Sequence, residues 1–175
     1  MNIYLILFLR IVHILAGGLW VGGAVAYFAF VGPSVKASGP AGGQFMQQFM
    51  ERRKYPIYMT IASALTILAG VPLYLFASGG LQLSWITSGS GVVFSIGSVV
   101  AIVVFFLGIL MLKPRAERMG VLVKEIGMAG GPPSPAQVAE LQQLDRELAQ
   151  IELADFVLLM IATLTMATAR YWLIF

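Results

Sequence analysis

Arg10, His13, Gly17, Trp20, Ala24 and Tyr27 follow one another at intervals of three or four residues, so on a helix they form one stripe near the 3.6-residue period. His13 is the only histidine, and the chain has no cysteine. Structural disulfides, iron–sulfur clusters and thiolate metal sites are thereby excluded, and metal or haem chemistry must work through a single imidazole. An imidazole with a guanidinium one turn away suits a b-type haem, with His13 as axial ligand and Arg10 beside a propionate. Gly17 lies on the His13 face, where a missing side chain leaves room for a flat ligand, and Trp20 or Tyr27 would serve as walls. A structural role stays open beside this one: a neutral histidine can bond to a neighbouring helix, and Arg10 can snorkel to headgroups.

Two histidines on one haem are impossible within one subunit. Met166 is the best second ligand by depth, since it precedes Arg170 by four residues as His13 follows Arg10 by three, and a His/Met pair is known for haem iron. Met160 and Met59 are weaker candidates, because methionine is usually a packing residue. The iron could also be five-coordinate, or take a ligand across a dimer. The same imidazole and thioethers would suit Cu(I), which makes copper the alternative cofactor. Thr60, Ser63, Thr66, Ser95, Ser98, Thr163, Thr165 and Thr168 are expected to bond to backbone carbonyls or across helices. Glu152 and Asp155 stand at the edge of the last apolar run, so a carboxylate relay within the spans has little support.

These residues must be positioned by segments made for lipid. Of the 175 residues 59% are hydrophobic and 11% charged, and the mean hydropathy is +0.87; a soluble domain carries about 25% charged residues. The apolar residues fall in four runs, Ile3 to Val31, Ile57 to Ala77, Val92 to Leu112 and Phe156 to Phe175, each close to the ~20 residues that cross a ~30 Å hydrocarbon core as helix. The expected fold class is all-α: an integral membrane, antiparallel four-helix bundle in a single domain. The first run is too long for a signal peptide and no Lys or Arg precedes it, so it is read as a span.

Nine of the 11 basic residues lie in two loops, Lys36, Arg52, Arg53 and Lys54 in one and Lys113, Arg115, Arg118, Lys124 and Arg146 in the other. The positive-inside rule then puts both loops in the cytoplasm and both termini outside, in a multi-pass protein of the cell membrane, most simply a bacterial or archaeal inner membrane. The formal charge of +3 gives no support to nucleic-acid binding. In the first loop, Ser38 can cap a helix with Pro40 in its first turn and Phe45, Met46, Phe49 and Met50 on one stripe. In the second, the third span is expected to continue past Lys113-Pro114 as helix and to form a helical hairpin over about 115–153. Its arms carry Met119, Leu122, Val123 and Ile126, and Leu141, Leu144, Leu148 and Ile151; Gly127 to Pro133 break it and Ser134-Pro135 restart it. Gly18 and Gly22 form a small-xxx-small row that suits helix packing and permits a homodimer contact.

The run from Arg10 through Gly23, with His13, Gly17 and Trp20-Val21-Gly22, closed by Val31-Gly32-Pro33, resembles the first helix of copper-resistance D-like membrane proteins and of a related family of predicted integral membrane proteins of unknown function. A looser likeness runs through Gly39 to Gly43 and Leu65 to Gly70. More distantly, the histidine-bearing first helix is similar to that of the haem-dependent membrane protoporphyrinogen oxidases. The resemblance implies a small helical bundle and a ligand role for His13. The chain departs from these families in having neither a lysine within a span nor a second histidine, so only that role is carried over.

Three functions follow as expectations. The first is a haem b protein of the outer leaflet acting in electron transfer or redox chemistry with an unidentified redox partner, with membrane oxidoreductase activity left open; its residues are His13, Arg10, Gly17, Trp20, Tyr27, Met166 and Arg170. The second is a protein that transports or handles copper or another small solute. The third is a membrane anchor whose cytoplasmic hairpin binds a partner. The bilayer is a partner in all three.

Overall fold

The computed structural model describes residues 2–172, so the last three residues of the expected fourth span, 173–175, lie outside it. Four long helices carry the fold: α1 (Ile3–Ala37), α3 (Tyr55–Ala77), α5 (Gly89–Ala129) and α6 (Pro135–Tyr171), all long and apolar enough to cross a membrane. The chain is therefore a multi-pass membrane protein. Two shorter helices join them, α2 (Pro40–Gln47) after α1 and α4 (Leu83–Ile86) before α5.

The first helix outruns its expected span, and α5 passes Pro114 as expected, because proline is absorbed and not obeyed. Pro33 and Pro114 lack the N–H that would continue an α-helical ladder. In both places the preceding turn widens to i→i+5 bonding: Gly32 N–H donates to Tyr27 O, and Lys113 N–H donates to Gly108 O. Such π-turns let the helix pass the proline, so α1 continues to Ala37 and α5 to Ala129.

Other boundaries follow local chemistry. Ser88 caps α5 through Gly91 N–H, and Ser134 forms a reciprocal capping box with Gln137 at the start of α6. Gly130 ends α5 at φ 65°, in the left-handed region glycine tolerates. Ser38 does not cap α2 as expected. Gly39 holds that position at φ 53°, and the Ser38 hydroxyl donates back to Ser34 O, 2.8 Å away, closing the end of α1. The uncharged link between the second and third spans contains α4, which periodicity did not announce, seated by an edge-on contact between Trp85 and Tyr74.

Within the membrane the helices pack as two antiparallel pairs, α1 on α3 and α5 on α6. Gly23 admits Met59 and Tyr58 of α3, and Gly97 admits Thr165 and Met166 of α6. The pairs meet in a core of Trp20, Ala24, Ala62, Val104 and Leu159. Gly18 and Gly22 take no part: an added methyl group there would meet no neighbouring element within 4 Å among the described residues. The span hydroxyls bond as expected to carbonyls one turn back, Thr66 to Ala62 O at 2.7 Å and Thr163 to Leu159 O at 2.8 Å among them.

Beyond the bundle α5 and α6 continue as the helical hairpin. With 34 residues in regular α-helix, α6 reaches about 51 Å, some 20 Å more than the hydrocarbon core needs. Leu122, Leu144, Leu148 and Ile151 are buried between the arms, whereas Val123 is exposed. Arg118 grips Glu140 through two nitrogens at 2.7 and 3.0 Å, and Arg115 holds Glu147 at 2.7 Å. Gln143 also donates to Glu147, and the two bonds hold the Glu147 carboxyl below the usual carboxylate range. Lys36 reaches Asp145 at 3.2 Å and Lys124 reaches Glu51 at 2.8 Å, tying the first loop to both arms.

Candidate functional site

His13 stands on α1 facing α3, half-buried, with Nδ1 2.8 Å from the backbone oxygen of Thr66. A carbonyl only accepts, so Nδ1 carries the proton and, in a neutral ring, the Nε2 lone pair is left for another partner. The arrangement depends on one glycine, Gly70, and leaves ordinary contact room at a second, Gly17. A Cβ on Gly70 would stand 2.9 Å from His13 Cε1 and 3.0 Å from Nδ1, and one on Gly17 would stand 3.5 Å from the Thr66 methyl group. Absence of the first side chain makes the seat for the imidazole. At the second, an added Cβ would rest in ordinary contact with Thr66. Thr66 spends its own hydroxyl on Ala62 O.

The other expected site residues lie apart from this seat. Arg10 is exposed, one turn from His13, and has no acidic partner among the described residues. Trp20 is 5% exposed at the centre of the bundle core. Tyr27 stands 14 residues from His13, about 21 Å along the helix, where its hydroxyl donates to Glu152 at 3.2 Å and its ring stacks on Tyr55. Met166 packs on Gly97 of α5, in the other helix pair. Arg170 lies over the ring of Tyr171, its guanidinium carbon 4.7 Å from the centroid. Met59 lies against Gly23. None of these contacts brings a methionine sulfur to His13, and the described residues hold no cluster of three His, Cys, Asp or Glu side chains that could bind a metal.

Thr66 and Gly70 are the partners that spacing on α1 could not announce. Their signal was a threonine and a glycine one turn apart on the second span, inside the run already noted for its likeness. One oriented imidazole is the whole donor set that these contacts assemble, and the bond from Nδ1 to a carbonyl is of the kind that a metal-binding histidine usually makes through its other ring nitrogen. Compared with protein-family models, with curated proteins and with solved structures, the chain matches none.

Proposed function

We propose that this protein binds haem b through His13 and acts in electron transfer or other redox chemistry in the outer half of the membrane. The reading rests on the 2.8 Å bond from His13 Nδ1 to Thr66 O, which turns the ring and fixes its tautomer so that Nε2 is the basic nitrogen. Haem, when bound, would supply the one-electron chemistry. The chain's own part is to hold the imidazole and to present Arg10, exposed and with no acidic partner among the described residues, to an anionic group. Trp20 and Tyr27 belong in this reading to the bundle core and to its charged end. The orientation proposed with it puts the basic loops and the hairpin in the cytoplasm and both termini outside.

Purification after haem-supplemented expression tests this. The expected result is a Soret band that disappears or shifts in His13→Ala; a colourless wild-type protein refutes it. One observation favours a second reading, a membrane anchor with a partner-binding hairpin: ion pairs brace the hairpin internally and to the first loop. In that case replacement of both Arg10 and His13 leaves the cellular phenotype intact, and deletion of residues 120–150 abolishes it.

A further inference from the structure

An open groove of about 390 Å³ runs along the outer side of the α1–α3 pair, between Ala16 and Leu19 of α1 and Ile57, Ile61 and Leu65 of α3. Its walls are apolar except at one end, where Arg53 and Lys54 close it. From Ile57 to Leu65 the helix advances about 12 Å, within the ~15 Å of one leaflet. Tyr58 stands at the same level, its hydroxyl donating to Leu19 O at 2.6 Å, as aromatic side chains do at headgroup depth.

Charge at this mouth is unbalanced. Among the described residues Lys36, Lys113, Arg115, Arg118 and Lys124 each have a carboxylate within 4.0 Å, whereas Arg52, Arg53 and Lys54 have none. The acidic neighbour in sequence, Glu51, is taken by Lys124 at 2.8 Å. Lys54 adopts φ 57° where the chain turns into α3, so the two cations meet the groove at its edge. Basic residues beside an apolar cleft at the membrane surface match an anionic headgroup followed by an acyl chain.

We infer that this groove is a specific site for an anionic phospholipid, with the phosphate on Arg53 and Lys54 and one acyl chain along Leu19, Ile57, Ile61 and Leu65. The site requires only that the chain spans a bilayer and is independent of the role of His13. The full-length protein in micelles, titrated with phosphatidylglycerol or phosphatidylcholine and followed by native mass spectrometry, tests it. Phosphatidylglycerol should bind in one-to-one stoichiometry, and the paired change Arg53→Gln/Lys54→Gln should weaken it about thirtyfold. Ile61→Trp should weaken it by filling the groove, while Arg146→Gln, which removes a cation elsewhere, should leave it unchanged. Equal binding of the two lipids overturns the proposal. So does displacement by inorganic phosphate at the same concentration as lipid, which would mark a phosphate site, or binding insensitive to Ile61→Trp, which would mark simple surface attraction. A photoactivatable phosphatidylglycerol on the unmodified protein gives a readout free of folding defects: crosslinks should map to residues 16–19 and 57–65, and crosslinks elsewhere refute the site.

Discussion

Replacing Gly70 by alanine tests the histidine seat with the smallest change available. The new Cβ would be 2.9 Å from His13 Cε1 and 3.0 Å from Nδ1, whereas carbon pairs rest at ~3.5–4.0 Å. The ring must therefore retreat by at least about 0.6 Å. A retreat along the bond would stretch the 2.8 Å contact with Thr66 O toward the limit at which a hydrogen bond ceases to count. Loss of that bond costs about 1 kcal/mol, and forcing an extra carbon into a packed site adds ~1–3 kcal/mol. The expected destabilisation is about 2–4 kcal/mol, measured by reversible unfolding in mixed micelles. In a His13→Ala background the methyl group meets empty space, so Gly70→Ala should then cost almost nothing, and the double-mutant cycle should show a coupling of at least about 1 kcal/mol. If haem is bound, Gly70→Ala should also lower its affinity about 10–100-fold, the usual effect of losing an outer-shell partner of a ligating histidine. Strict additivity of the two substitutions would refute the seat, whatever the spectrum shows.

Gly97→Ala should destabilise the α5–α6 pair by about 1–3 kcal/mol in the same assay, because its Cβ would fall 2.6 Å from Thr165 Oγ1 and 2.9 Å from Met166 Cγ; Gly18→Ala, with nothing within 4 Å, should be neutral. Leu122 is 1% exposed between the hairpin arms, so Leu122→Ala should cost about 2–5 kcal/mol and quicken proteolysis within residues 127–133. Gln143 and Arg115 depress the Glu147 carboxyl, so its folded value lies below its unfolded one: the support is present above the ordinary carboxylate range and is lost as pH falls through the folded value. Proteolysis at the hairpin tip should accordingly accelerate on acidification, and Glu147→Gln should show a smaller acceleration.

Long apolar runs made the four spans legible, and the hairpin could be read from the glycine–proline break and from Ser134, whose cap forms as its spacing with Gln137 requires. Ser38 was misread because a hydroxyl near a helix start has two uses, and here it closes the helix behind it. The length of α1 was hidden for a related reason: a proline ends a helix only when the turn before it cannot widen, whereas the passage of α5 beyond Pro114 was legible in Met119, Leu122, Val123 and Ile126. At the candidate site, the helical period grouped His13 with Gly17 correctly on one face. It also grouped Trp20 and Tyr27 with them, since a stripe carries no information about depth: the first reaches the core and the second a carboxylate about 21 Å along the axis. Thr66 and Gly70 lie more than 50 residues away in sequence, where only the folded chain can bring them to the ring.

The widened turns before Pro33 and Pro114 have a mechanical corollary. Each inserts a phase shift, because one surplus residue rotates everything after it by roughly 100° about the helix axis. The lipid-facing side of α5 and the side that grips α6 above the bundle are thus set by different registers, joined at 108–112. Excising one residue there would restore a regular spiral and swing Arg115, Arg118 and Leu122 together out of line with their partners, unfastening the hairpin while leaving the span's apolar length almost unaltered.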